Sequence, residues 1–330
     1  AYSDNNGLTW RGLGTTIFSI KGNGVVWNGN LWVGLGEGTN TIAYSYDGTQ
    51  WTGLGSDIFT SYGNRAIWNG SNFIAVGSGT YTIATSTNGI IWNGLSTTVF
   101  TGGNGNSIFW NGILYVAVGS GTTNTIATST DGTSWTGRSN TIFTEGKDIG
   151  YYATTGLWVA VGTGASHTIA TSSDGIAWTG LGTTIFSTSG NGIAWNGSLF
   201  VAVGTGTSHT IATSSDGSTW TGRNNTIFSI RGNGICWTGK IWIAVGEGTN
   251  TVAFSSDGIL WSGAENNTLL FTTSGNGVAS NPRIGAVVVD SQMTLDTYSV
   301  SGTNKLDIVA DSYFNTGFTN MSINIKSTNL

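Results

Sequence analysis

Residues 178–220 read WTGLGTTIFSTSGNGIAWNGSLFVAVGTGTSHTIATSSDGSTW. Between two tryptophans stand four short runs rich in β-branched and aromatic residues, each bounded by Asn-Gly, Asp-Gly or glycine-rich punctuation. Such runs are strands, and such boundaries are turns. Asn-Gly and Asp-Gly pairs suit type I′ hairpins, in which both central residues take positive φ. Glycine interrupts every candidate helical period, so the sequence predicts almost no helix.

The stretch is one copy of a unit that fills most of the chain. The motif S-x-[DN]-G-x-x-W recurs at Ser45–Trp51, Ser86–Trp92, Ser129–Trp135, Ser172–Trp178, Ser214–Trp220 and Ser255–Trp261, with a longer variant at Ser3–Trp10. Its tryptophans lie 41, 41, 43, 43, 42 and 41 residues apart. Four strands, a to d, per 42 or so residues is the period of a β-propeller blade. Ala1 to Ser3 align with Ala43 to Ser45 inside strand c, and residues 277–289 align with strands a and b of residues 192–204. Two half-blades that complete each other predict a closed ring with no exposed sheet edge. The expected fold is therefore all-β: a seven-bladed propeller over residues 1–290 with a short C-terminal β extension at 291–330. That extension carries strand-like segments such as MTLDTYSV and MSINIK, and is too short for a secure core of its own. Packing on the ring, attachment or oligomerisation are its expected roles.

Composition fits the same picture. Glycine supplies 53 of 330 residues and charged residues only 8%, yet 15 Trp, 13 Phe and 10 Tyr argue against a disordered chain. The single cysteine, Cys236, excludes an internal disulfide, and two histidines leave little for zinc chemistry. A formal charge of -5 without a basic run disfavours nucleic acid. No apolar stretch approaches membrane-spanning length, so membrane insertion is not expected.

The S-x-D-G-x-x-W motif at the c–d turn resembles the Asp-box (BNR) repeat of sialidase-type and related propellers. The usual Asp-box has one more residue between Asp and Gly. Only Ser3-Asp4-Asn5-Asn6-Gly7-Leu8-Thr9-Trp10 keeps that length, with Asn5 at the Asp position. The wider unit, [FW]-V-A-V-G-x-G followed by T-I-A-x-S-x-D-G-x-x-W, is similar to uncharacterised propeller repeats of bacterial surface proteins, phages and large DNA viruses. The resemblance implies a fold, and an extracellular or virion-surface location. It implies little about activity, because propellers host many functions.

The repeated acidic position, Asn5, Asp47, Asn88, Asp131, Asp174, Asp216 and Asp257, reads as a set of structural turn caps. Asn replaces Asp in two copies, which keeps a hydrogen bond and discards a charge. The tryptophans fall on fixed repeat positions, as does the Phe of I-F-[ST], and so read as inter-sheet packing. A sialidase needs an arginine triad and a Tyr–Glu pair. Arginines are present (Arg11, Arg65, Arg138, Arg223, Arg231, Arg283), but no Arg-Ile-Pro motif occurs and no glutamate stands apart from the repeat. No catalytic residue, cofactor or metal site is expected. His167 and His209 share a repeat position with Asn40, Tyr81, Asn124 and Asn250, which suggests an exposed polar loop tip.

The expected function is a non-catalytic structural or binding propeller, with other protein chains as partners through 291–330. A multivalent lectin that binds surface glycans is the alternative, and a sialidase-like glycosidase relic the third reading. For the lectin, the candidate ligand-binding residues are Trp32, Glu37 and Asn40, with Trp242, Glu247 and Asn250. Trp and Glu co-occur at these positions in two blades and nowhere else. Recent duplication accounts for the same likeness without a ligand.

Overall fold

A computed structural model describes residues 1–2, 11–95, 99–153, 156–264 and 273–278. The Ser3–Trp10 variant with Asn5, residues 279–290 of the C-terminal half-blade, and the whole of 291–330 lie outside the described residues. Among the described residues there is no helix; strands fall into six four-stranded antiparallel units. They comprise β1 (Lys21–Trp27), β2 (Trp32–Glu37), β3 (Ile42–Ser45) and β4 (Thr52–Gly53); then β5 (Tyr62–Trp68), β6 (Phe73–Ser78), β7 (Ile83–Ser86) and β8 (Asn93–Gly94). The third unit is β9 (Asn104–Trp110), β10 (Tyr115–Ser120), β11 (Ile126–Ser129) and β12 (Thr136–Gly137). The fourth is β13 (Glu145–Tyr152), β14 (Leu157–Thr163), β15 (Ile169–Ser172) and β16 (Thr179–Gly180). The last two are β17 (Ser189–Trp195), β18 (Phe200–Thr205), β19 (Ile211–Ser214), β20 (Thr221–Gly222), then β21 (Arg231–Trp237), β22 (Trp242–Glu247), β23 (Val252–Ser255), β24 (Ser262–Gly263).

Each unit is a meander in which consecutive strands pair. The first hairpin is fixed by an aromatic pair directly across the strands: Trp27 faces Trp32, Trp68 faces Phe73, Trp110 faces Tyr115, Tyr151 faces Trp158, Trp195 faces Phe200 and Trp237 faces Trp242. Their ring centroids lie 4.4–5.6 Å apart. Such pairs set register as well as adding stability.

The hairpin turn differs from the sequence expectation. Positive φ occurs at the glycine alone, +104° at Gly29 and +96° at Gly70, and not at the preceding asparagine. Asn28 instead folds its side chain over the turn, accepting the N–H of Asn30 at 2.9 Å and of Leu31 at 2.7 Å. The asparagine caps the reversal, which needs its backbone in an ordinary region; glycine supplies the left-handed residue.

The core lies between units. The second strand of a unit is buried along nearly its whole length, as in β6, because neighbours cover both of its faces. Alternate residues go to opposite sides: Phe73 and Ala75 pack with Leu31, Val33 and Leu35 of the first unit, while Ile74 and Val76 pack with Phe100 and Tyr115 of the third. The recurrent Phe occupies these layers: Phe59, Phe100, Phe143, Phe186 and Phe228 are at most 1% exposed. The rings lie so close to the second strand that a β-carbon at Gly77 would stand 2.7 Å from Phe59, which explains glycine at this point of V-G.

First strands of successive units are neighbours, and the residues converge on a common centre. Arg65 of β5 touches Asp148 of β13, two units away. Residues 273–278 continue this inner series. Ser274 bridges to Glu247, Gly275 N–H bonds Gly246 O at 3.0 Å, and Gly277 lies directly against Asn23 and Gly24 of β1. The last described segment thus touches both the sixth unit and the first.

Truncating Phe186 to Ala should cost about 3–5 kcal/mol in urea unfolding, as a large cavity opens between two units. A loss below about 1 kcal/mol would contradict this packing. Gly204→Ala should also destabilise, since the new methyl would meet the Phe186 ring at 2.8 Å.

Candidate functional site

The recurrent motif forms a self-contained turn. Ser45 Oγ accepts the Gly48 N–H at 2.8 Å and donates to Asp47 Oδ1 at 3.0 Å. Asp47 Oδ1 accepts the N–H groups of Thr49 and Gln50, both at 2.7 Å. Gly48 has φ +76°, and its carbonyl accepts the Trp51 indole N–H at 3.0 Å. The same contacts hold Asp131, Asp174, Asp216 and Asp257, and Asn88 makes the two backbone bonds at 2.9 Å each. Backbone N–H groups, that of Gln50 above all, lower the Asp47 carboxyl from 3.8 to about 2. Thr219 N–H likewise brings Asp216 to about 2, and Asp131, Asp174 and Asp257 are lowered by the same bonds.

The loop residues are clamps rather than exposed tips. Asn40 accepts the Gly55 N–H and donates to Ile17 O, both at 2.9 Å. His167 Nδ1 accepts from Gly182 N–H at 3.0 Å, and His209 Nδ1 from Asn224 N–H at 3.2 Å. Asn250 donates to Ile227 O at 2.9 Å. All four are half-buried, and one acceptor in the right place is the property that Asn and His share here.

The candidate lectin residues do not converge. Trp32 opens β2 and Glu37 closes it, about 17 Å apart at the rise of a strand. Trp242 is fully buried, so its ring offers no face to a sugar. Glu37 pairs with Lys21 at 3.3 Å, and Glu247 with Arg231 at 2.7 Å, each directly opposite on the first strand. The second contact is one of charge and distance, not an aligned hydrogen bond. Both pairs are partly exposed and worth at most about 1 kcal/mol each. The two glutamates occur where the facing residue is basic, and that facing position was the signal in FSIKGNG and FSIRGNG.

A different constellation occupies the inner circle. Every first strand carries a β-bulge at the middle residue of its G-N-G-like segment. The bulge turns that side chain toward the next unit. Asn23 donates to Gly63 O, Asn64 to Gly105 O, Asn106 to Gly146 O, Asn191 to Gly232 O and Asn233 to Gly275 O, all at 2.8–2.9 Å. In the fourth unit Lys147 takes this place and donates to Asn191 Oδ1 at 3.1 Å. Burial pulls its ammonium below the usual 10.5, with Arg231 adding to the effect and Glu145 opposing it.

Beside Lys147, Asp148 is only 2% exposed. Its carboxylate accepts Ser107 Oγ at 2.6 Å, Arg65 Nη1 at 2.9 Å, its neighbour Ile149 N–H at 2.9 Å and Ile193 N–H at 2.9 Å. One side chain therefore joins four consecutive units. Arg65 of this cluster also lines an open cavity of about 340 Å³ along the first strands of units one to three.

Comparison with known proteins bears on the fold. No family model matches the chain, and no curated protein does. Among solved structures it resembles a GH74 enzyme of Niastella koreensis, with TM-score 0.59 and 17% identity over 79% of this chain and 40% of that one. It also resembles a chain of a mitotic checkpoint complex, with TM-score 0.53 and 15% identity over 73% of this chain and 78% of the other. The chain thus spans about two fifths of the enzyme's length. At such identities the likeness is one of fold, and with the convergent four-stranded units it makes this an all-β, propeller-type structure.

Two measurements follow from the site. The cap carboxylates have folded values below their unfolded ones, so their contribution is complete above about pH 4 and fades as pH falls toward about 2. Changing Asp47, Asp131, Asp174, Asp216 and Asp257 to Asn should flatten the drop in Tm between pH 5 and 2; an unchanged slope would contradict the caps. Asp148→Ala should cost about 3 kcal/mol, because it leaves the Ser107 hydroxyl and the buried N–H groups of Ile149 and Ile193 without their acceptor. Asp148→Asn, which keeps an acceptor oxygen, should cost less.

Proposed function

We propose that the chain is a seven-bladed propeller of Asp-box type, residues 1–290, that serves as a non-catalytic structural or binding module outside the cell or on a virion. Residues 291–330 are assigned to attachment or oligomerisation. The contact of Gly277 with Asn23 supports a seventh inner strand between the sixth unit and the first. The likeness of residues 277–289 to strands a and b of residues 192–204 supports the same count.

One observation carries the functional reading. The recurrent polar side chains bond the protein's own backbone: Asp and Asn cap turns, bulged Asn link units, and Asn or His clamp loops. Groups held in this way build a rigid body and leave its surface of Thr, Ser, Asn and Gly to meet partners. The GH74 activity belongs to the neighbour, and at 17% identity it is not carried over.

A panel of fluorogenic glycosides, sialosides included, should give no turnover above blank; reproducible turnover on any member would overturn the non-catalytic reading. A glycan array decides the lectin alternative, with specific hits replacing the structural assignment. Deleting 291–330 should leave a folded ring and change the mass of the assembly in solution. An unchanged mass would end the proposal for that segment.

A further inference from the structure

We infer that the central cavity binds a small organic anion with a flat apolar body, an aromatic carboxylate being the type. This does not depend on the surface role proposed above. The cavity, about 340 Å³, is lined by Val26, Ile67, Phe109, Trp68, Trp110 and neighbouring aliphatic side chains, and Arg65 is the single charged residue among them. The cavity is open on one side, its lining is mainly apolar with one charged group, and its volume falls in the range of small-molecule sites.

The repeat shows that this sector departs from what the fold requires. At the position of Arg65 the other units carry Gly24, Ser107, Asp148, Gly192 and Gly234. Two residues on, Val26, Ile67 and Phe109 line the first three units, while Gly150, Ala194 and Cys236 stand in the next three. The bulky apolar residues and the arginine are therefore gathered on one side of the centre.

Arg65 is suited to an anion. It meets Asp148 through Nη1 alone, and its side chain remains 43% exposed. Asp148 already receives a hydroxyl and two backbone N–H groups, so the arginine is not its sole source of compensation. A guanidinium presents five N–H donors in a planar fork that fits a carboxylate in a bidentate manner. The remaining edge can hold the acid group while the ring system lies against Ile67 and Phe109. A naphthalene-sized body fits the volume. Trp27, which also lines the cavity, has a buried indole N–H with no hydrogen-bond partner among the described residues.

The test is calorimetric titration of the full chain with 2-naphthoate and with its uncharged analogue 2-naphthalenemethanol. The acid should bind one-to-one and about tenfold or more tighter than the alcohol, the usual advantage of a charge-assisted contact. Arg65→Gln should abolish that preference and leave alcohol binding unchanged. Arg65→Lys, which keeps a cation beside Asp148, should retain part of it and guards against a variant that fails to fold. Ile67→Trp should fill the cavity and block both ligands with circular dichroism preserved. No saturable binding, equal affinity for acid and alcohol, or a preference that survives Arg65→Gln would each overturn the inference.

Discussion

Each unit is tied to the next by one amide. An asparagine at a bulge of the first strand donates to the carbonyl of a glycine one unit on, and the same handover recurs from Asn23 to Asn233 with Lys147 as the exception. The bond is short and partly shielded from water, so it fixes spacing rather than supplying much stability by itself. The residue before the bulge is glycine in every described unit, and a β-carbon there would crowd its neighbours: one at Gly63 would stand 2.6 Å from the Thr41 carbonyl oxygen. With that spacing set, buried layers of Phe, Val, Ile and Ala pack between units, and these layers hold the fold together.

The inner circle is also where the repeat breaks its own rule. Lys147 and Asp148 replace the Asn-Gly pair in the fourth unit, and Arg65 replaces glycine in the second. The substitutions compensate one another, since a buried carboxylate would be costly without the arginine, the serine hydroxyl and two amides that meet it. An outer rim of near-identical turns thus surrounds a centre that is chemically individual, and a specific ligand needs that individuality.

Much of this was legible in the sequence. The period, the aromatic positions and the interchange of Asp with Asn at the turn identify strands, cross-strand pairs and caps, because each is a local pattern repeated in every copy. The inter-unit bonds were less visible. G-N-G reads as turn punctuation until a register shows that it is a bulge inside a strand. Glu37 and Glu247 looked like a shared binding feature because their partners, Lys21 and Arg231, stand opposite on another strand and not beside them in the chain. Arg65 and Asp148 are 83 residues apart and meet only because first strands converge. The hairpin expectation failed for a local reason: an asparagine whose side chain caps its own turn leaves positive φ to the glycine.

In the proposed seven-bladed ring, the inner circle closes through one further unit. Gly277 already stands against Asn23 as Gly234 stands against Asn276. An experimental structure of the full chain, by crystallography or electron microscopy, tests this directly. It should show seven four-stranded units about one axis, with the side chain of Asn276 bonded to the carbonyl of Gly22. Six units, or an open gap between the sixth unit and the first, would contradict it.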